Sequence, residues 1–468
     1  MSEVAPPDIE HMPVVNDPRA WSPIRKNISL AMISSASMIA GLAGSIQNPA
    51  VQQMQENLPA TSAQFSWSIS AFVLVQGLIP LVWSAISEVK GRKLVYVVSL
   101  ALFTVGSVVV AVSRSAGLLI GFRCLQAAGS SAVISIGAAT LADMYEPAER
   151  GTKMGIYYIA PLLGPSIGPI LGGGLTTGLG WRAIFWFLSI VGSSICFSFA
   201  VLFHDTFRKE RSLTYQNVLK KRLEGVVNRK SPHALSLKDI NPTRPVVLVL
   251  RRINNVTILF ASGLQFAFSF LIAYTTARTL SMHYNYNALA IGLVIVAFGI
   301  GSITGSLLGG RFSDHELARL KTANNNVSYP EMRLKSVIYS ACLLPPFILA
   351  FGWVCEQHVH VAALCVFLFF CGFFSSWTYA STLAYIVDSN TGRSSSAVAT
   401  NSAFRGISAF VAIEIAVPLQ DGLGDGWTYT LWAGLMLISG LLILLIACRG
   451  QGWRQKAEER ERLYTNKD

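Results

Sequence analysis

Arg123 stands within Leu118-Leu-Ile-Gly-Phe-Arg123-Cys-Leu and Arg405 within Ala403-Phe-Arg405-Gly-Ile, each a permanent cation inside an apolar run. A guanidinium is a planar fork of donors that matches a carboxylate and stays charged where a lysine could lose its proton. In hydrocarbon it costs about 3 kcal/mol even on lenient insertion scales, so each arginine must face protein or a water-filled path. Gln126 lies three residues after Arg123, and Asn401 four before Arg405, so each pair shares a helix face. Two roles are open to each arginine: contact with an anionic cargo, or a fixed structural cation tied to a backbone carbonyl. Glu414 is the one carboxylate well inside an apolar run. It is either a proton-exchanging acid or a locally paired residue, and nine residues at about 100° each point it away from Arg405. Gln47, Asn48 and Gln265 are further polar side chains on apolar helices, along with Gln76, Trp377 and Tyr379.

The elements that must hold these residues are membrane spans. The chain is 52% hydrophobic and 13% charged, with mean hydropathy +0.47, whereas soluble proteins carry roughly 25% charged residues. About 20 apolar residues cross the hydrocarbon. That length finds twelve spans, near 28–50, 65–86, 94–113, 117–142, 153–177, 182–203, 254–278, 289–310, 336–355, 360–387, 396–418 and 428–448. The expected fold is an all-α integral membrane protein of twelve transmembrane helices in two six-helix bundles, 28–204 and 254–448. A tail at 1–27, a linker at 205–253 with a basic surface helix near 215–226, and a tail at 449–468 complete it. The proline-rich tail lacks a signal peptide's apolar core and reads as disordered.

Lys and Arg concentrate in the even-numbered connections and tails, which places both termini in the cytoplasm. The net charge of +12 is then a feature of topology, and nucleic acid is not an expected partner. The seven cysteines have no paired spacing, and Glu356, His358 and His360 lack a fourth ligand, so neither a disulfide framework nor a metal site is expected. No phosphate loop or nucleophile elbow appears, which argues against an enzyme and against a cofactor.

The halves repeat one pattern at equivalent points, Ser84-Ala-Ile-Ser87-Glu88 after span two and Gly310-Arg-Phe-Ser313-Asp314 after span eight. Repeated bundles with a site between them at mid-depth are a transporter architecture. The first repeat continues through Lys90, Gly91, Arg92 and Lys93, and the whole segment resembles the loop signature of the major facilitator superfamily, with Ser84 for Gly and Glu88 for Asp. Glu88, Gly91, Arg92, Lys93 and Asp314 could form a latch of ion pairs to the opposing bundle in one state only, or simply anchor basic loops. Arg123-x-x-Gln126-Ala127 resembles the superfamily's Arg-x-x-Gln-Gly element. Gly164-Pro165-Ser-Ile-Gly168-Pro169 resembles the glycine-proline element of its antiporter-type exporters and should pack closely against a neighbour. Asn401-x-x-x-Arg405 resembles a pattern of fungal exporters of drugs and organic acids.

Taken together, the chain is similar to the fungal twelve-span drug:proton antiporter family, in the branch of quinidine-resistance and citrate or itaconate exporters. The resemblance implies a monomeric plasma-membrane protein exporting a small, anionic metabolite by alternating access, with protons as coupling ion and lipids as surroundings. A broad pump for cationic or amphipathic drugs is the alternative. A nutrient sensor without turnover is disfavoured by the short tails.

Overall fold

Gly424 turns one long helical run into two spans. Ser394–Thr465 is helical throughout except at Gly424, whose φ of 77° and ψ of 174° break the ladder. At about 1.5 Å per residue such a run is roughly three times the hydrocarbon thickness. The chain folds back at the glycine, because Ala397 and Ile443 share one apolar core. A left-handed φ is inexpensive only for glycine, and Glu356 stabilises the break by accepting from the Gly426 N–H at 3.1 Å.

The computed structural model describes residues 14–58, 61–211, 243–325, 327, 329–390 and 394–465. Eleven helical stretches among them are long and apolar enough to span a membrane, and the last, Ser396–Arg460, contains two spans. Span one is Pro23–Ser45, followed by a 3-10 turn at Asn48–Ala50 and a short helix Val51–Asn57. Proline at Pro49 lacks the N–H needed to continue an α-helix, so the span ends short of it. Span two is Ser62–Leu78 and Pro80–Lys90, split at the second proline for the same reason. Spans three to six are Arg92–Val112, Ala116–Met144, Pro147–Leu179 and Arg182–Val201. Spans seven to ten are Ile253–His283, Ala288–Ala323, Val337–Glu356 and Val361–Asp388. A short helix, Thr243–Leu250, precedes span seven. The surface helix expected near 215–226 lies outside the described residues.

The described parts of both tails are ordered against the bundles. The last span continues as helix to Thr465, held by Arg454, which pairs with Glu331 at 3.0 Å and Glu458 at 3.3 Å. Before span one, Pro18–Ala20 forms a 3-10 turn and Trp21 is buried. Asp17 pairs with Arg211 at 2.6 Å, and that hydrogen bond holds its carboxyl below the usual carboxylate range. Charged residues that the sequence leaves without partners thus tie the tails to the bundle.

Three apolar cores show how the halves meet. One runs across both halves toward the odd-numbered connections and includes Ile69 and Phe72 of span two, Leu271 and Tyr274 of span seven and Ile413 of span eleven. Toward the termini each half has its own core, around Tyr96, Ile136 and Phe199 in the first and Ile258, Leu334 and Tyr385 in the second. Hydrogen bonds between the halves follow the same division: Ser66–Tyr274 at 3.3 Å, Ser70 to Glu414 at 2.5 Å, and Ser281 to Gln52, all toward the odd-numbered connections.

Candidate functional site

Spans seven, ten and eleven build the site around Arg405. Span eleven carries it about midway between Ser394 and Gly424. Span seven packs closely enough that a Cβ on Gly263 would sit 2.6 Å from Ser408 Oγ, which brings the neighbouring Phe266 over the guanidinium at 3.9 Å. Tyr379 of span ten lies 4.6 Å from it through its ring, and its hydroxyl oxygen accepts from Nη1 at 2.6 Å. Among the described residues Nε has no partner although it is buried, and no hydrogen bond involves Nη2. The Nε–Nη2 edge is therefore unused, and it is the edge that can donate two parallel bonds to one carboxylate. Asn401 and Gln265 each bury an amide oxygen with no donor.

Arg123 is arranged differently. It is fully buried in span four, donates through Nη1 to the Ala43 carbonyl at 3.1 Å and to Gln126 Oε1 at 2.6 Å, and lies over Phe72 at 4.1 Å. Gln126 passes the chain of bonds to Ser107 at 2.7 Å, and nearby Gln76 donates to Ala40 O and Ser130 Oγ. This network joins spans one to four, with Arg123 Nε and Nη2 left unpartnered. Gln47 is wholly buried and donates weakly to Ser68 at 3.4 Å, while its Oε1 and Asn48 Oδ1 have no donor.

Glu414 points to span two, and its partner is Ser70 across the junction of the halves, not Arg405. Another carboxylate, Asp425, is buried and accepts from Thr279 at 2.8 Å and Gln420 at 2.6 Å. The sequence gives no sign of it, because it falls in a short connection between spans. Tyr274, Ser66, Ser70 and Phe266 are likewise invisible there; ordinary serines and aromatics acquire a role only when two helices meet.

A model of the Major Facilitator Superfamily matches residues 33–413. The chain belongs to that superfamily. It is 28% identical over 470 residues to citrate exporter 1 of Aspergillus niger, covering 94% of this chain and 89% of the relative. It is 25% identical to the MFS antiporter QDR3 of Candida albicans, covering 95% and 80%, and 28% identical to the efflux pump radE of Floropilus chiversii, covering 89% and 79%. Two solved structures share the fold. The D-xylose-proton symporter superposes with a TM-score of 0.69 at 12% identity, over 90% of this chain and 97% of that one. The human organic anion transporter MFSD10 gives 0.59 at 18%, over 90% and 100%. The protein is thus a multi-pass membrane transporter with a small-molecule substrate, and not an enzyme.

In this superfamily member the loop after span two is tied within its own half. Gly91 takes φ 89°, and Arg92 donates to Asp143 at 3.3 Å, to Ser87 at 2.5 Å and, through its backbone N–H, to Asp205 at 3.0 Å. Lys93 is half-buried beside it, and Glu88 and Arg92 line a polar cavity of about 160 Å³ with Arg208 and Arg211. Asp314 pairs at 2.6 Å with Arg333, which also meets Asp388 at 2.7 Å. The described pairs of Arg92 and Asp314 lie within their own halves, where the terminal-side cores are separate. The glycine-proline segment packs span five on span one: a Cβ on Gly164 would meet Leu42 N at 2.5 Å, one on Gly168 would strike Ser45 Oγ, and Gly41 faces Pro161 O and Pro165. Pro169 lies instead against Gly292 of span eight, so this helix also joins the halves.

Proposed function

We propose that this transporter exports a small organic acid or acidic secondary metabolite, of the kind of a dicarboxylate such as itaconate, across the plasma membrane by alternating access. The observation that carries the reading is Arg405: a half-buried cation flanked by two aromatic rings, whose carboxylate-matching edge has no hydrogen-bond partner among the described residues. Arg123 adds a second positive charge to the interior without a carboxylate beside it. That citrate exporter 1 is a relative agrees with an anionic cargo.

Lys90, Arg92, Lys93, Arg208, Arg319 and Arg333 gather at the terminal side, which supports cytoplasmic termini. In that orientation the halves are closed on the outside and divided on the inside, as an exporter loading cargo requires. Glu414 sits at the junction of the halves, bonded to Ser70 across it, and is the carboxylate placed to couple an antiport cycle to their movement. Anion export is also driven by the membrane potential, worth about 2.3 kcal/mol per charge per 100 mV.

Purified protein in liposomes, loaded with labelled itaconate, tests the reading. Efflux accelerated by an opposing proton gradient supports an antiporter, and efflux following only an imposed potential supports a uniporter. No carboxylate efflux, with uptake or release of cationic dyes instead, would favour the multidrug reading, for which the aromatic wall of Phe370, Phe373 and Trp377 is the specific feature.

A further inference from the structure

We infer that Tyr379 is a specificity-determining and positioning residue that makes the site select cargo with two acceptor groups over cargo with one; the inference rests on Arg405 being the anion contact. Arg405 has only one described hydrogen bond, to the Tyr379 hydroxyl at 2.6 Å. Because that hydroxyl oxygen accepts, its own proton remains to be donated, and no described side chain takes it. Stacking by Phe266 at 3.9 Å and the Tyr379 ring at 4.6 Å fixes the guanidinium plane. The Tyr379 hydroxyl then fixes its rotation within that plane, because it occupies Nη1.

What faces a ligand is a set of three donors in defined places: Nε and Nη2 on one edge, and the phenol O–H beyond the opposite end. The first two suit one planar carboxylate. The third is held at Nη1, off the Nε–Nη2 edge, and is there for a second acceptor on the cargo. A monocarboxylate would leave the phenol proton without that acceptor, and forgoing a hydrogen bond to a charged group costs affinity. Specificity built on hydrogen bonds discriminates strongly for this reason. Tyr379 carries no charge of its own, so its removal acts on selection and leaves the attraction of Arg405 for an anion in place.

The test is binding of itaconate and of 2-methylidenebutanoate, in which a methyl group replaces the second carboxylate so that one acceptor group remains, to full-length protein in nanodiscs by calorimetry. Wild type should prefer the diacid by about tenfold or more, in line with a hydrogen bond to a charged group. Tyr379→Phe, which keeps the ring, should reduce that preference to below about threefold by weakening diacid binding alone, and Arg405→Ala should lose both ligands. If Arg405→Ala loses both and Tyr379→Phe keeps the full preference, the role of Tyr379 is wrong while the anion reading stands. If wild type binds neither ligand, or Arg405→Ala binds both normally, the anion reading itself fails and this inference with it. Tyr379→Trp, which retains a ring and a donor on a different vector, guards against a merely steric effect: its preference should also collapse, and a preserved preference would contradict the geometry.

Discussion

Gly77 of span two and Gly406 of span eleven touch backbone to backbone at the centre of the junction between the halves. A Cβ on Gly77 would stand 2.7 Å from Gly406 Cα and 2.7 Å from Ser402 O, and one on Gly406 would stand 2.9 Å from Gly77 Cα. Away from the termini the halves share a core; toward the termini each has its own. The glycine pair is therefore placed as the fulcrum on which one half rocks against the other, one residue from Arg405.

Gly77→Ala should force the two helices apart there, an overpacking of about 1–3 kcal/mol. Transport should fall about tenfold, with surface expression close to wild type. Gly406→Ala should do the same, and the double variant should be no worse than additive. Flux measured against surface biotinylation checks this, and normal flux in both single variants would move the fulcrum elsewhere.

The hydrogen bond from Ser70 to Glu414 is one of three described side-chain bonds that join the halves on the side away from the termini. Glu414→Gln should flatten the dependence of transport on external pH, whereas Ser70→Ala should leave that dependence and raise labelling of a nearby introduced cysteine from outside. An unchanged pH profile in Glu414→Gln would leave coupling to the potential or to another group.

Arg123 and Arg405 should separate by phenotype. Arg123 is bonded to Ala43 and Gln126, and its removal strands a buried amide oxygen at a cost of about 1–3 kcal/mol. Arg123→Ala should reduce the amount of folded protein as well as flux. Fluorescence-detected size exclusion reads the first quantity, and a monodisperse, fully abundant Arg123→Ala protein would refute a structural tie.

Arg92→Ala should leave Asp143 buried without its cation. We expect a lower melting temperature together with reduced transport, because the Arg92 side chain joins Asp143 and Ser87, whereas its backbone bond to Asp205 survives the substitution. Asp143→Asn combined with Arg92→Ala should recover part of the melting temperature, as removal of both charges is less costly than removal of one. No recovery would show that Arg92 acts through another contact.

How far the sequence carries can be judged from these residues. Composition and hydropathy suffice for twelve spans, because burying backbone polar groups in lipid allows little else. Even the merged final helix follows, once Gly424 is seen to break it. Arg123 and Arg405 are legible because a cation in an apolar run is expensive. Their partners are not, since Tyr379, Phe266 and Ala43 are ordinary residues whose importance comes from how spans are rotated against one another. The direction in which Glu414 avoids Arg405 follows from helical periodicity, yet its bond to Ser70 joins residues far apart in sequence and needs the tertiary fold. The charges of Arg92 and Asp314 are legible as a latch or an anchor, while the partners they take within their halves need the tertiary fold, because loop sequence names the charges and not the side that faces them.

The most direct test of the central claim is mass-spectrometric release of a mixed panel of carboxylates and cationic drugs from preloaded cells, comparing wild type with Arg405→Ala at matched surface expression. The account predicts that wild type releases one acid or a narrow set of acids and that Arg405→Ala stops this while leaving surface expression intact. Equal release of the acids by both, or loss of the cations alone, would contradict it.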